Sequence, residues 1–424
     1  MPSTPSAPWR ARRLLLQQML GSALGILLSA CGGGGGSAGA PGSGGTGFAS
    51  GPISGFGSII VNKIRYDDRA AELRDDDGQL VSRAGEDPLQ LGVIVDVEGR
   101  VAADGLSGTA DRLVFRAEVL GPVDSVDVAG ASLSVLGRSV KLKRSTVLAG
   151  LAGIADLAAG EIVAVYGLPD EGDAIVATRL VRLADRAASY TGDFRLRGLL
   201  SELSGSGSNR RFRVAGLPVA SDAGTVVSGT LAEGVRVSLR LAKTPVDGRY
   251  RALQVSVKST GFGTATLPRA EIEGFITRFD SLAAFEVNGY PIRTDASTVF
   301  EDGSAGVRLG ARVEVEGRVI GGVLEARKVE IETQDDNADD NDSSNDDDDA
   351  RFEFAGLASA VTGDAVNGRF IVRGQRVVYD SRTRFEDGLS PATLSGQQVD
   401  VRAAADGVED GVTRYRAVRI KRDD

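Results

Sequence analysis

The sequence predicts an all-β protein built from five tandem small barrels. Apolar and polar residues alternate in short stretches, Asp-Gly and Asn-Gly dipeptides separate these stretches, and one arrangement of them recurs five times along the 424 residues. Alternation with a period of two is typical of half-buried strands, and the dipeptides favour tight turns. A sheet with one apolar face must close or pack to bury it. Each copy is therefore predicted to fold as five or six strands that close into a small barrel.

The repeat is clearest around a glycine that is followed by valine three residues later and by another apolar residue two positions after that valine. The five copies are Gly92/Val95/Val97, Gly160/Val163/Val165, Gly234/Val237/Leu239, Gly310/Val313/Val315 and Gly396/Val399/Val401. An alanine and an apolar residue three positions later follow in each copy: Ala110/Leu113, Ala177/Leu180, Ala252/Val255, Ala326/Val329 and Ala417/Ile420. The central glycines are 68, 74, 76 and 86 residues apart, which is the size of a small domain and exceeds the roughly 20–50 residues of a solenoid repeat.

The upstream half of the unit also repeats. The segments "FEVNGYPIRTDASTVFEDG" (285–303) and "FIVRGQRVVYDSRTRFEDG" (370–388) share Phe-x-Val-x-Gly and Thr-x-Phe-Glu-Asp-Gly. Each copy opens near a glycine followed by an apolar residue, assigned in the first copy to "ISGFGS" (53–58). The central glycines are predicted to serve backbone geometry and not ligand contact, because a turn that enters a strand often needs positive φ.

The positions of the repeated motifs predict how the chain is divided into domains. It comprises a signal peptide (1–30), a lipidated cysteine with a Gly/Ser-rich tether (31–50), repeats at 51–118, 119–187 and 188–260, a linker (261–267), a fourth repeat (268–333), an acidic linker (334–350) and a fifth repeat (351–424). Residues 335–349 hold nine Asp and no basic residue. Such a run is predicted to be a disordered linker that sets the fifth domain apart, with weak Ca²⁺ binding as an open alternative.

The first fifty residues predict export and lipid attachment. Arg10, Arg12 and Arg13 precede an apolar run that is short for a membrane span, and Leu28-Ser29-Ala30-Cys31 follows. This segment resembles a bacterial lipobox, which implies cleavage before Cys31 and lipidation of its thiol. An ordinary secretory signal that happens to contain cysteine is the alternative. By the same resemblance, glycine and not aspartate after the cysteine favours the outer membrane, facing either the periplasm or the surface.

The composition excludes several kinds of chemistry. The chain has no His and a single Cys, so imidazole-based triads and His- or Cys-ligated zinc sites are excluded. We expect no cofactor, no metal site and no catalytic residues. Outside the acidic run the formal charges cancel, and no basic stripe is interleaved with aromatic residues. Nucleic acid is therefore not expected as a partner.

Two acidic pairs in the repeat, Glu301/Asp302 and Glu386/Asp387, are candidates for acid–base catalysis. Adjacent residues of a strand point to opposite faces, however, and Asp-Gly is common in turns. A turn is the favoured interpretation. The aromatic residues of the best copies fit core positions better than a stacking platform.

The motifs together resemble an uncharacterised bacterial domain, a domain of unknown function that occurs in tandem in proteobacterial lipoproteins. They are G-x-(apolar), F-x-V-x-G, T-x-F-x-x-G, G-x-x-V-x-V-x-G and A-x-x-(apolar), and the third copy departs with "SLRLA" (238–242) where a second glycine is expected. The resemblance implies small barrels that are loosely like the oligonucleotide/oligosaccharide-binding (OB) fold. It implies no activity and no catalytic residues.

The expected function is therefore that of a lipid-anchored cell-envelope protein with a binding, adhesion or scaffolding role. Repeating a weak module raises avidity without new contacts. The membrane, through the anchor, and an envelope protein or polysaccharide are the expected partners. Two alternatives stay open: an envelope hydrolase that uses carboxylates, and an envelope assembly or stress factor that acts through exposed sheet edges.

Overall fold

The computed structural model of the chain describes residues 46–83, 87–258, 261–263, 265–332 and 352–423. These residues fold into strands, together with one-turn 3₁₀ helices at Ile154–Asp156, Ala187–Ser189 and Pro391–Thr393. The predicted signal peptide, Cys31, residues 32–45 of the predicted tether and the acidic run at 335–349 lie outside the described residues. Residues 46–50, predicted as the end of the tether, instead begin the first strand, where Ala49 and Ser50 are buried, so this boundary of the prediction is wrong.

The first two barrels have six strands each. The first contains β1 (Thr46–Phe56), β2 (Ile59–Val61), β3 (Ile64–Asp67), β4 (Glu72–Arg74), β5 (Ile94–Val101) and β6 (Ser107–Arg116). The second contains β7 (Val119–Asp127), β8 (Ser132–Val135), β9 (Arg138–Lys141), β10 (Val147–Ala149), β11 (Ile162–Pro169) and β12 (Ile175–Ala184).

The other three barrels follow the same order of strands. The third contains β13 (Phe194–Ser206), β14 (Asn209–Val214), β15 (Leu217–Ala220), β16 (Val226–Ser228), β17 (Arg236–Leu241) and β18 (Tyr250–Val257). The fourth contains β19 (Leu267–Ser281), β20 (Ala284–Val287), β21 (Tyr290–Arg293), β22 (Val299–Phe300), β23 (Arg312–Ile320) and β24 (Val323–Ile331). The fifth contains β25 (Phe352–Leu357), β26 (Ser359–Gly363), β27 (Gly368–Val372), β28 (Gln375–Tyr379), β29 (Arg384–Phe385), β30 (Gln398–Glu409) and β31 (Val412–Arg422).

All five barrels close by the same pairings. In the first barrel, β1 pairs antiparallel with β2 and β5, β2 with β3, and β5 with β6, while β3 pairs in parallel with β6 and completes the ring. The short β4 adds to β6 in parallel. The fifth barrel differs only because its first strand is interrupted at Ala358. This is the five-stranded OB-like barrel with a short additional strand, and the predicted all-β fold class of tandem OB-like barrels is confirmed.

The glycine that opens each copy makes room for a hairpin turn. The turn between the second and third strands of each barrel carries one residue with φ of 49–50°: Asn62, Leu136, Ala215, Asn288 and Arg373. A Cβ on the facing first-strand glycine would come within 3.1 Å of that residue's side chain at Gly51, Gly121, Gly198, Gly274 and Gly356. The register assigns Gly51 to the first copy, because Gly51 pairs with Val95 as Gly121 pairs with Val163. The assignment of "ISGFGS" to this position is therefore wrong.

The threonine of the T-x-F motif ties a loop to the last strand of its barrel. Thr383 Oγ1 donates to the carbonyl of Ala417 at 2.8 Å and accepts from the backbone N–H of Asp380 at 3.1 Å. Equivalent bonds link Thr146 to Ala177, Thr225 to Ala252 and Thr298 to Ala326. The alanine of the A-x-x-(apolar) motif therefore contributes its carbonyl group to the repeat.

We expect Thr383→Val to lower the free energy of unfolding of the fifth barrel by about 1–2 kcal/mol, because two partly buried backbone groups lose their partner. Thr362→Val is the matched control, since Thr362 lies exposed on β26 of the same barrel. Urea unfolding of the full chain measures both variants. Equal stability of the two variants would contradict the role of Thr383.

The barrels are fused through their strands. Between the first and fourth barrels, β1 pairs in parallel with β19, from Gly47↔Arg269 to Ser50↔Ile272. Between the first and fifth barrels, β1 pairs in parallel with β25, and β7 of the second barrel pairs with β13 of the third. The buried apolar residues of the first and fifth barrels form one continuous cluster, as do those of the second and third.

The prediction that the fifth domain is set apart is therefore wrong, because its strands pair with the first and second barrels and its core is continuous with that of the first. The described residues from Thr46 onwards form one compact unit. A barrel of about 70 residues buries only ~60% of its extended-chain surface, so these interfaces supply burial that each barrel lacks alone.

Candidate functional site

A cleft of about 500 Å³ opens where the first, second, fourth and fifth barrels meet. The first barrel lines it with Pro52, Ile53, Ser54, Asn62, Lys63 and Gly92, and the second with Lys143, Ser145, Leu168, Val176, Ala177 and Thr178. The fourth contributes Glu273, Phe275, Asp302, Arg312, Glu314, Glu330, Ile331 and Glu332, and the fifth contributes Phe352. The cleft exists only because the barrels are packed together.

Strand alternation aims the carboxylates of the fourth barrel into this cleft. On β23, Val313 and Val315 face the barrel core, so the intervening Glu314 faces outward. Glu273 on β19 is paired with Glu314, and Glu330 on β24 is also paired with Glu314. The outer face of the fourth barrel is thus a carboxylate wall across three adjacent strands.

Lys63 of the first barrel reaches this wall from the turn between β2 and β3, where its φ is +62°. Its Nζ lies 3.2 Å from Glu314 and 3.0 Å from Glu330. Burial alone would lower the pKa of Lys63, but Glu314 and Glu330 hold it above its usual range. The ammonium group neutralises part of the wall and joins the first barrel to the fourth.

Glu332 and Arg312 complete the charged side of the cleft. Burial, together with the negative charge of Glu273, raises the pKa of Glu332. Arg312 forms an ion pair with Glu273. The wall therefore offers hydrogen-bond acceptors whose negative charge Lys63 and Arg312 offset only in part.

The opposite wall is shorter and supplies donors. Lys143 and Ser145 lie in the loop before β10, and Thr178 on β12 donates its hydroxyl to the carbonyl of Gly92. The floor between the walls is apolar, since Ile94, Leu168 and Phe275 pack together from three different barrels. The cleft thus combines acceptors, donors and an apolar floor.

All five central glycines have a left-handed backbone, with φ of +76° at Gly92, +91° at Gly160, +74° at Gly234, +79° at Gly310 and +77° at Gly396. Their surroundings differ. A Cβ at Gly92 would lie 2.4 Å from the carbonyl oxygen of Thr178, and one at Gly310 would lie 2.6 Å from the carboxylate of Glu171, both in the second barrel. Gly160, Gly234 and Gly396 face open space. Two of the five positions therefore lie at contacts between barrels.

We expect Gly92→Ala to destabilise the chain by at least about 1 kcal/mol more than Gly234→Ala. The two glycines have nearly equal φ, so the cost of the strained backbone cancels between the variants. Only the substitution at Gly92 forces its Cβ against the second barrel. Thermal unfolding of the full chain gives the melting temperature of each variant. Equal melting temperatures of Gly92→Ala and Gly234→Ala would show that only the positive φ, and not the contact with the second barrel, requires glycine at Gly92.

The acidic pairs of the repeat lie in turns. Asp302 accepts a bond from the backbone N–H of Ile331 at 3.1 Å, and Asp387 accepts one from that of Arg422 at 3.2 Å. Glu301 forms an ion pair with Lys328 at 3.0 Å. The structure brings Asp302 to the cleft and leaves the fifth-barrel pair outside its lining.

Most of the cleft residues carry no sequence signal of their own. Lys63 does carry a sequence signal. It is the second residue of its hairpin turn, and the other four copies have glycine at that position. Lysine in a left-handed turn is uncommon and marks a position worth attention. Glu273, Glu314 and Glu330 look like the polar half of ordinary alternation, and only barrel packing makes them neighbours of Lys63.

In the described part of the chain, no group of three His, Cys, Asp or Glu side chains is placed to hold a metal ion. Nor does any helix there have the length and apolar character needed to span a bilayer.

Residues 121–180, 273–330 and 355–421 match the model of a domain of unknown function, DUF5666. Three segments of the chain thus match this uncharacterised domain, and the predicted tandem repeat of a domain of unknown function is confirmed, while its origin in proteobacterial lipoproteins stays a prediction. The matched segments lie in the second, fourth and fifth barrels. A comparison with curated proteins found no match.

Two solved structures are similar to the chain. Drosophila Unr CSD456 is 15% identical, with 56% of this chain and 98% of that chain covered and a TM-score of 0.14. A multidomain protein with nucleic acid binding domains from Streptococcus pneumoniae TIGR4 is 10% identical, with 53% and 72% covered and a TM-score of 0.14. Similarity at this level is no basis for assigning an activity to this chain.

The second of these structures conflicts with the expected absence of nucleic acid among the partners, and that exclusion is corrected. The exclusion rested on formal charges that cancel outside the acidic run and on the lack of a basic stripe interleaved with aromatic residues, which leaves short basic clusters out of account. On β14, for example, Arg210, Arg211 and Arg213 lie within four residues of one another.

Proposed function

We propose that this protein is a lipid-anchored binding protein of the bacterial cell envelope, and that the cleft between its barrels is the binding site. Its ligand class would be a neutral, hydroxyl-rich molecule such as an oligosaccharide. The observation that carries the proposal is the cleft itself, whose walls come from four barrels and whose volume is about 500 Å³. Ligand sites typically occupy clefts of this size at domain interfaces.

The chemistry of the walls supports this ligand class. Sugar hydroxyl groups both donate and accept hydrogen bonds, so they can pair with the carboxylates of Glu314 and Glu332 and with the donors Lys143 and Ser145, while the hydroxyl oxygen of Thr178 can accept. The apolar floor formed by Leu168 and Phe275 suits the C–H face of a sugar ring. Lys63 and Arg312 reduce the charge that a neutral ligand would otherwise meet.

The test compares Ser145→Trp, which places a large side chain in the cleft, with Ser125→Trp, which places it on an exposed strand of the same barrel. Binding of the full chain to envelope oligosaccharides and to a single-stranded oligonucleotide is measured by calorimetry. We expect oligosaccharide affinity to fall at least about tenfold for Ser145→Trp only. Equal affinity of the two variants, or binding of the oligonucleotide alone, would contradict the proposed site or its ligand class.

Attachment through Cys31 is the part of the proposal that concerns location. The lipobox-like Leu28-Ser29-Ala30-Cys31 supports it, and several acyl chains on one residue hold a protein at a membrane far better than one chain does. We expect Cys31→Ser to move the protein from the outer-membrane fraction to the soluble fraction. Ser29→Ala is the control. Unchanged membrane partition of Cys31→Ser would contradict the anchor.

A further inference from the structure

The short strand that is added to each barrel pairs with the last strand of that barrel on one side. No other described strand of the ring pairs with its other edge. These strands are β4, β10, β16, β22 and β29, and each pairs in parallel with the last strand of its own barrel. An open strand edge is a ready template for another strand, so proteins cover such edges or guard them with charges. The five barrels treat this edge in three different ways.

Two of the edges are covered from within the chain. In the first barrel, the backbone N–H of Val81 donates to the carbonyl of Leu73 on β4 at 2.9 Å. In the second barrel, the fifth barrel covers β10: Ala149 pairs antiparallel with Val412, and the N–H of Gly150 donates to the carbonyl of Gly411 at 2.8 Å. The hydroxyl of Thr413 also accepts from the N–H of Leu148 at 2.8 Å.

The fourth and fifth barrels guard their edges with charge. In "TVFEDG" (298–303), β22 is followed directly by Glu301 and Asp302, and in "TRFEDG" (383–388), β29 carries Arg384 and is followed by Glu386 and Asp387. Charged side chains at these positions oppose the approach of another strand. The second barrel has the uncharged "TVLAG" (146–150) at the same place. Among the second, fourth and fifth barrels, the edge without charges is thus the one that another barrel covers.

The third barrel has an uncharged edge that nothing in the described residues covers. Its segment "TVVSGTLA" (225–232) contains no charged residue, and all three residues of β16 are exposed, with Val226 at 63% and Val227 at 45%. In the described part of the chain β16 pairs only with β18. Two exposed β-branched residues on an unguarded edge favour strand addition.

We propose that β16 pairs antiparallel with β16 of a second copy of this chain, about a two-fold axis. In such a symmetric contact the residue on the axis meets its own copy and the residues on either side of it meet each other, so any charge near the axis would lie close to the same charge of the second copy. The absence of charges from residues 225–232 meets that requirement. The antiparallel cover of β10 by β31 shows that barrels of this chain accept a strand on this edge. The proposal does not depend on the function of the cleft.

The test is the oligomeric state of the full chain carrying Cys31→Ser, so that a lipid cannot contribute to association. Ser228→Glu places a carboxylate where the fourth barrel has Glu301, and Ser206→Glu adds the same charge at an exposed position elsewhere on the third barrel. Analytical ultracentrifugation is run up to about 100 μM protein, and circular dichroism checks that each variant is folded.

We expect the parent and Ser206→Glu to dimerise, and Ser228→Glu to raise the dissociation constant at least about tenfold. The proposal is overturned if the parent remains monomeric over the whole range, as it would if β16 served a strand of another protein. It is also overturned if Ser228→Glu dimerises like the parent.

Discussion

Arg197→Ala is expected to lower the free energy of unfolding by about 3–5 kcal/mol, because it removes one partner from a buried group of charges. Arg197 lies on β13 of the third barrel and forms an ion pair with Asp76, from a turn of the first barrel. Its Nε lies 3.4 Å from the carboxylate of Glu118, directly before β7 of the second barrel. One guanidinium group therefore joins three barrels.

The carboxylates left behind would account for most of this loss. Burial alone would raise the pKa of Asp76, but Arg197 and Lys258 hold it well below its usual range. Lys258 Nζ lies 3.2 Å from Asp76, so one partner would remain after the substitution. Glu118 is also buried and lies 3.8 Å from Arg116. Glu118 is thus almost fully buried and only 11% of the Asp76 side chain is exposed, so both acids have little water to replace the lost guanidinium group.

Arg213→Ala provides the control for this result. Arg213 lies on β14 of the same barrel and pairs with Glu202 at 2.8 Å, but both side chains are exposed. Exposed pairs contribute about 0–1 kcal/mol. Urea unfolding of the full chain, followed by circular dichroism, measures both variants. Similar losses for the two would show that the junction does not depend on its buried charges.

The second large effect is a dependence of stability on pH that Glu271→Gln should remove. Glu271 lies buried on β19, where the fourth barrel pairs with the first. Burial and the adjacent Glu314 raise the pKa of Glu271 from 4.5 to about 9. The folded chain therefore keeps this proton to a higher pH than the unfolded chain does.

The raised pKa of Glu271 makes the folded chain less stable as the pH rises. Between about pH 4.5 and pH 9, unfolding releases a proton, so stability is greatest below this window and falls as the pH rises through it. Because one pKa unit corresponds to about 1.4 kcal/mol, a loss of about 2–3 kcal/mol across the window needs only part of this shift. Glutamine keeps the shape of the protonated acid and carries no charge.

We therefore expect Glu271→Gln to be more stable than the parent at pH 8 and similar to it at pH 5. The matched control is Glu325→Gln, since Glu325 pairs with Arg318 on the exposed surface of the same barrel. Melting temperatures of the full chain at both pH values give the result. A parent whose stability does not fall towards pH 8 would disprove the protonated state of Glu271.

The repeated motifs were sufficient to predict the barrels because each motif acts within one barrel. Val163 and Val165 alternate on a strand of their own barrel, and Thr383 reaches Ala417 within its own barrel. Local periodicity and turn-forming residues therefore predict contacts within one barrel. One assignment failed, that of the first copy's opening glycine, because "GPI" at Gly51 and "SGF" at Gly55 differ only in strand register.

The cleft and the junctions between barrels were not predictable in this way. Lys63 and Glu314 are 251 residues apart, and Asp76 and Arg197 are 121 residues apart. Each looks like a solvated surface residue in its own repeat. Nothing in a strand pattern indicates which outer face will meet another barrel.

The sequence by itself determined that the chain folds into five small OB-like barrels, because periodicity and turns are local patterns. Export and lipidation of the N-terminus, inferred from the lipobox-like segment, stay a prediction. Only the tertiary structure decided that the described barrels form one body, that Gly92 and Gly310 lie against the second barrel, and that no described segment covers β16. The physical reason is that small barrels bury too little surface alone, and which outer faces they bury against each other depends on shape and charge in three dimensions.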